Sequence, residues 1–379
     1  MSIVNTVARF FPSLKGSRKA KKADENSKPQ ILQRKEHGIS RRQLSENALK
    51  VLYRLNNAGY QAYLVGGCVR DSMLGAHPKD FDVATSATPE QVNQLFRNSR
   101  LIGRRFKLVH VLFGREVIEV ATFRTSPKEE HDNNQAKTGD SGMILRDNVY
   151  GTIDDDAMRR DFTINAMYYA VDDFTVRSYA DGYQDAQNKL IRLMGDPETR
   201  YREDPVRMLR AIRFVGKLGL VLDSETERLI PVLANLLADI PAARLFDESL
   251  KLYLSGNAAV THELLCHYHI FEHLFPQTDK VLHTEVDNYP RTLLIKALEN
   301  TDKRIDEGKP VTPAFLFAAL LWEPVRQQWQ KNISKNIPII PALQHAATDV
   351  IIEQVRRVAV PKRFTIMTRD IWTLQPRLE

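Results

Sequence analysis

Asp80 and Asp82, in the segment KDFDVAT (79–85), are two carboxylates separated by one phenylalanine. On a strand, side chains alternate between faces. The pair would then share one face, with Cβ atoms about 6–7 Å apart, while Phe81 and Val83 turn to the other. Two carboxylates so placed repel unless water screens them or a cation sits between them. A hard divalent ion such as Mg²⁺ resolves the conflict, because it takes oxygen ligands and keeps positions open for substrate phosphates. An Asp-x-Asp at a strand end is also a common solvated or capping arrangement, so the pair alone decides nothing. The spacing of an EF-hand calcium loop is absent.

Support comes from LVGGCVRD (64–71). Gly66 and Gly67 follow an apolar strand pattern and precede a short helix over Cys68–Leu74. Without Cβ atoms, such a corner lets phosphate oxygens reach backbone N–H groups, and a helix N-terminus favours anions. The bland alternative is a simple tight turn with Arg70–Asp71 as a local ion pair. Glu119, in VIEVATFR (117–124), is the candidate third carboxylate of a two-metal site, and Arg124 could meet phosphate. No GxxxxGK[ST] loop is present, which disfavours a P-loop NTPase. His110 and Cys68 read as packing residues.

Two further segments carry charge at informative spacing. In DDDAMRRDFTIN (154–165), Arg159, Arg160 and Asp161 read as a charged helix end. In REDPVRMLRAIRF (202–214), a helix begins near Asp204 with Pro205 in its first turn. Met208, Ile212 and Val215 share its apolar face; Arg207, Arg210, Arg213 and Lys217 share another. Such a basic stripe is usually solvated. Asp204 nevertheless lies one turn before Arg207, an acceptor–donor pair that could present a base-reading edge without a template.

These groups need elements to hold them. A helix is expected over Ser45–Asn57, closed by Gly59. AYLVG, FDVAT, LVHVLFG and VIEVATF read as strands, the last two joined by a hairpin at Gly114-Arg115-Glu116. Thr88, Pro89 and Gln91 start a capped helix. Residues 125–142 read as a mobile surface loop, followed by a helix over Asp155–Asn165 and a hairpin of AMYYAV with FTVRSYA. After Asp181 strand patterns cease and helical ones take over. The expectation is an α+β fold: a small mixed or antiparallel sheet with helices, followed by an all-helical neck and body. The expected divisions are a basic disordered tail at 1–36, a catalytic head at 37–180, a helical neck at 181–250 and a helical RNA-binding body at 251–379. The ending IWTLQPRLE reads as a truncation, with Leu378-Glu379 an appended remnant.

The chain has 379 residues, net charge +7 and pI about 9.2. A basic balance favours a polyanionic partner. Two cysteines exclude a disulfide scaffold and a cysteine-based zinc site, and fit a reducing cytoplasm. No run approaches the roughly 18 apolar residues of a membrane span, so no stable membrane insertion is expected.

Taken together, LVGGCVRD, the DFD pair, EVATFR, RRDFTINAMYY and REDPVRMLRAIRF resemble the class II nucleotidyltransferases of the polymerase-β-like superfamily. That group contains the bacterial poly(A) polymerases and the CCA-adding tRNA nucleotidyltransferases. The flanking segments EHGISRRQLSENALKVLYRLNNAGY, LFRNSRLIGRRFKLVHVLFG, MILRDNVYGTIDDDAMRRDFTINAMYYAV and PKRFTIMTRDIW resemble the poly(A) polymerase branch, over roughly residues 36–375. Family members usually continue into a further basic C-terminal region.

The resemblance implies AMP transfer from ATP to RNA 3′ ends, with Asp80 and Asp82 holding two Mg²⁺ ions and Glu119 and Asp161 completing the active-site carboxylates. It implies that Gly66, Gly67 and Arg70 steady the triphosphate, and that Arg160, Asp161 and Asn165 face the ribose and phosphates. Glu203, Asp204 and Arg207 would select the base, with Arg210 and Arg213 holding phosphates or bracing the site. RNA-decay proteins are possible partners. The rivals are a CCA-adding enzyme with the same catalytic residues and a non-catalytic RNA-binding protein on the same scaffold.

Overall fold

The computed structural model describes residues 28–103, 107–125, 136–138, 144–147, 149–284 and 289–377. They fall into two compact units. One runs to Asp204 and takes back Val221–Glu227; the other comprises Pro205–Leu220 and the chain from Arg228 onward.

The first unit is built on an eight-stranded mixed sheet. Its strands are β1 (Gln30–Leu32), β2 (Ala62–Val65), β3 (Asp82–Thr85), β4 (Ser99–Ile102), β5 (Leu108–Phe113), β6 (Glu116–Thr122), β9 (Met167–Tyr169) and β10 (Val176–Ser178). Their spatial order is β1-β10-β9-β2-β3-β6-β5-β4. Every neighbouring pair is antiparallel except β3 and β6. Gly114, at positive φ, turns β5 into β6 as its sequence predicts. Helix α2 (Glu46–Asn57) is capped by the Ser45 side chain and buries Leu49, Leu52 and Leu55. Each such leucine contributes about 1.5–3 kcal/mol. Helix α4 (Pro89–Leu95) carries the expected Thr88–Gln91 capping box.

The parallel junction positions the carboxylates. Strand β2 runs out at Val65, directly opposite Asp82, the first residue of β3, and Asp82 lies opposite Glu119 of β6. The chain leaves β2 through Gly66 into helix α3 (Gly67–Met73), so the glycine corner emerges beside the acidic pair. Gly66 has φ 73° and ψ −129°, a combination that a side chain rarely adopts.

Several elements depart from the sequence reading. Gln30–Leu32 of the expected tail forms the edge strand β1 on β10, with Leu32 fully buried, and helix α1 (Arg34–His37) follows. Residues 1–27 lie outside the described residues. Within the expected loop, β7 (Ala136–Thr138) pairs antiparallel with β8 (Ile144–Asp147); most of its other residues also lie outside. Helix α5 is only Ile153–Met158, and a separate 3₁₀ turn covers Thr163–Asn165, so Arg160 and Asp161 occupy a corner rather than a helix. Beyond α6 (Gly182–Gln187), strands do not cease at Asp181: β11 (Leu190–Ile191) and β12 (Val221–Leu222) form a short parallel pair. Two-residue strands leave no periodicity to detect. Helix α7 (Pro197–Glu203) closes the first unit before Asp204.

The second unit is helical. Helix α8 (Val206–Leu218) buries Met208, Ile212 and Val215, the predicted apolar face. It packs closely on α11 (Ala258–His267), since a Cβ on Gly216 would stand 2.8 Å from the Thr261 hydroxyl. Phe246 of α10 (Ala242–Tyr253) stacks on Phe317 of α15 (Pro313–Ser334). The Trp372 indole N–H, on α17 (Lys362–Thr373), donates to the Ala318 carbonyl at 3.1 Å. Among the described residues no helix is long and apolar enough to cross a membrane.

One packing contact reaches the site directly. A Cβ on Gly182 would fall 2.2 Å from the Thr163 carbonyl oxygen, on the turn that carries Asn165. Gly182→Ala must displace that backbone. Denaturant titration should show a loss of about 1–3 kcal/mol; an unchanged midpoint would contradict the contact.

Candidate active site

The carboxylates gather by register. Asp82 and Glu119 are cross-strand partners, and Asp80 lies close enough for its charge to act on Asp82. Solvent reaches Asp82, yet its carboxyl is pushed up to about 6. Burial is the largest cause, followed by the charge of Glu119; Arg160 pulls the other way and Asp80 adds to the rise. Phe81 is buried, so the aspartates on either side are turned out from the core. Only Asp82 belongs to the strand; Asp80 precedes it.

His110 extends the row as the partner of Glu119 on β5, its Nε2 3.3 Å from a Glu119 carboxylate oxygen. It is partly exposed beside an acidic group, not the packing residue expected. Cys68 is packed: its thiol donates to the Val65 carbonyl at 3.3 Å and is pushed up to about 12 by burial, then by the Asp82 charge.

Arg160 supplies the opposing charge. Its guanidinium lies 3.5 Å from where a Cβ on Gly66 would stand. The group is held by the Tyr168 hydroxyl at 2.8 Å and by Asp156 at 2.9 Å, and Tyr168 in turn donates to Asp156 at 2.7 Å. Burial opposes its charge, but Tyr168 and Asp156 keep its pKa above the ordinary value. Asp156 and Tyr168 escaped the sequence reading. Their one signal was an aspartate on the first turn of a short helix, where a capping role is the simpler explanation.

A second chain of bonds fixes the predicted sugar-side residues. Buried Arg70 pairs with Asp71 at 2.7 Å and donates to the Asn165 amide oxygen at 2.7 Å; Asn165 donates to Asp161 at 3.0 Å. Asp161 also accepts from the Phe162 N–H. Arg70 is 4% exposed, its guanidinium held against Asp71 and Asn165. A Cβ on Gly67 would stand 3.6 Å from the Arg70 guanidinium, which places the glycine corner against this chain too.

Glu203 ends α7, and Asp204 follows in extended conformation. Buried Arg200 donates to Glu203 at 2.7 Å and to the carbonyls of both Arg159 and Arg160 at 2.7 Å. Nothing in the sequence separated Arg200 from its charged neighbours. Arg207, Arg210 and Arg213 belong to the helical unit; Arg207 is buried there, and the Arg210 and Arg213 guanidiniums lie 5.8 and 5.1 Å from the Phe214 ring centroid. The solvated stripe expected from spacing therefore fits Arg207 poorly.

Asp80, Asp82 and Glu119 offer carboxylate oxygens, the ligands a hard divalent cation takes. Among the described residues, no three His, Cys, Asp or Glu side chains stand close enough to hold an ion unaided.

Comparison with known proteins places this geometry. A family model for the poly A polymerase head domain matches residues 62–192. Models described as "Probable RNA and SrmB- binding site of polymerase A" and "Polymerase A arginine-rich C-terminus" match 219–282 and 335–379. Poly(A) polymerase I of Salmonella typhi is 55% identical over 350 residues, 92% of this chain and 75% of that protein. The chain belongs to the poly(A) polymerase I family. Relatives outside the family share less of it. A CCA-adding enzyme of Lactobacillus gasseri is 40% identical over 205 residues, 54% of this chain and 49% of its own. The solved Bacillus stearothermophilus CCA-adding enzyme in complex with CTP superposes with a TM-score of 0.53 at 26% identity, covering 86% of this chain and 91% of that one. The nucleotidyltransferase head followed by helices is thus common to both groups. Poly(A) polymerase I of Salmonella typhi is matched over 92% of the chain.

The raised Asp82 pKa has a defined pH signature. Because the folded state holds this proton more tightly than the unfolded chain, stability falls as pH rises from about 4 to 6, and the full cost persists above. Without divalent ions, Asp82→Asn should therefore melt slightly higher than the parent at pH 7.5, the gap kept small because solvent screens the exposed side chain, and closing towards pH 4. Equal melting curves at both pH values would contradict the crowding.

Proposed function

We infer that this chain adds AMP from ATP to RNA 3′ ends without a template, as a polynucleotide adenylyltransferase. The observation that carries the reading is identity of 55% and 51% to poly(A) polymerase I proteins over 92% and 98% of the chain. ATP and a divalent metal serve this family. The match of residues 219–282 to a model described by RNA binding supports an RNA contact in the helical unit.

The side chains are assigned as follows. Asp80 and Asp82 would hold Mg²⁺ ions, with the triphosphate oxygens available to complete the coordination. When bound, the metal supplies positive charge to the reacting phosphate and makes the attacking hydroxyl more acidic. Glu119, its side chain 52% exposed beside Asp82, can accept the hydrogen bond and then the proton of the RNA 3′-hydroxyl. The new bond forms between that oxygen and the α-phosphorus, and the bond to pyrophosphate breaks. Arg160, steadied by Tyr168 and Asp156, offers positive charge to the phosphates beside the Gly66–Gly67 corner. Asp161, oriented by Asn165 and Arg70, is a hydrogen-bond acceptor for a ribose hydroxyl, which favours ribonucleotides. Glu203 and Asp204 present acceptors to the base. Arg210 and Arg213 serve as phosphate contacts.

The test is primer extension on oligo(A) RNA with each of the four NTPs. Long tails should form with ATP alone, whereas CTP-dependent addition confined to truncated tRNA would establish the CCA-adding alternative. Asp82→Ala should cut incorporation by about 10³-fold, roughly 4 kcal/mol of barrier, with RNA retention on filters unchanged. RNA binding should weaken steeply as salt rises, because phosphate contacts release counterions. Full activity in Asp82→Ala would remove the metal assignment.

A further inference from the structure

We propose that Arg200 is a positioning residue for nucleotide selection, tying the corner that bears Arg160 and Asp161 to the end of α7 that bears Glu203 and Asp204. The inference rests on the reading of Glu203 and Asp204 as base-facing groups.

The geometry is specific. Helix α5 stops at Met158, and the next carbonyls, of Arg159 and Arg160, both accept from one Arg200 nitrogen, Nη2, at 2.7 Å. A guanidinium just past a helix C-terminus meets carbonyls that no further turn satisfies, and its charge suits the negative end of the helix. The other terminal nitrogen, Nη1, donates to a Glu203 carboxylate oxygen at 2.7 Å. The Arg200 backbone carbonyl also accepts the Asp204 N–H at 3.3 Å. One residue thus grips Glu203 by side chain, Asp204 by backbone and the Arg159–Arg160 segment by two carbonyls.

The inner face of α7 holds this arrangement still. Arg200 is 8% exposed, and the adjacent Tyr201, fully buried, donates to the Thr226 carbonyl at 3.0 Å. The Asp196 side chain caps the helix start, accepting from the Thr199 N–H. Only a planar fork with several fixed donors can serve a carboxylate and two carbonyls at once; a lysine ammonium is a single charged point. Arg200 needs no substrate contact. By fixing where the ribose-side corner stands relative to the base-side carboxylates, it sets how well one base fits over another.

The experiment compares kcat/KM for ATP, GTP, CTP and UTP in the full chain, with melting temperature recorded for each variant. Arg200→Lys keeps the charge and should lower discrimination for ATP by about tenfold, with a smaller loss of kcat on ATP itself, as expected where misplaced polar groups no longer match the right base. Glu203→Gln also alters a base-facing group, so it is combined with Arg200→Lys: a double variant that loses no more discrimination than either single one shows the two residues acting through one tie, and additive losses would overturn the proposal. Unchanged discrimination in both variants, or equal losses for all four nucleotides with lowered melting, would show a purely structural anchor and overturn the proposal. Asp204→Ala separates the two levels. If it also leaves discrimination intact, the base-facing reading fails and this one with it; if it alone abolishes discrimination, only the role of Arg200 fails.

Discussion

Electrostatic crowding at one strand junction organises the first unit. Asp82 and Glu119 meet because β3 and β6 run parallel and in register, and Asp80 adds a third negative charge. Left alone, such a group favours protonation, which the raised Asp82 pKa expresses. Arg160, held by Tyr168 and Asp156, brings a positive charge that opposes this rise.

Around that junction the supporting bonds form two short chains. Asp156 and Tyr168 hold the Arg160 guanidinium; Asp71, Arg70 and Asn165 form a chain that ends on Asp161. Each buried charge has a hydrogen-bonded partner, as low dielectric surroundings require. The two chains meet at the glycine pair, where a Cβ on Gly66 would stand 3.5 Å from the Arg160 guanidinium and one on Gly67 3.6 Å from that of Arg70, both ordinary contact distances.

Much of this was legible from residue types. The strands AYLVG, DVAT, LVHVLF and EVIEVAT show themselves by alternation and β-branched content, and the Thr88 capping box by its spacing. Asp80, Asp82 and Glu119 stand out because carboxylates interrupt apolar strands. What stayed hidden depends on partners distant in sequence. The bond from Arg70 to Asn165, far along the chain, leaves no trace in the local sequence. Arg200 lay in a run of charges, and only its burial shows which carbonyls it serves. His110 was assigned to packing because burial habit says nothing of register. The β11–β12 pair and the β1 edge strand were too short to leave a periodic trace.

The acidic residues of the junction come from two strands that are not sequence neighbours, with helix α4 and strands β4 and β5 threaded between them. A nascent chain that has emerged only as far as Thr85 owns Asp80 and Asp82 but no Glu119, and the Arg160 counter-charge emerges later still. The acidic junction therefore exists only once β3 and β6 have paired, and no shorter fragment of the sheet carries its three carboxylates together.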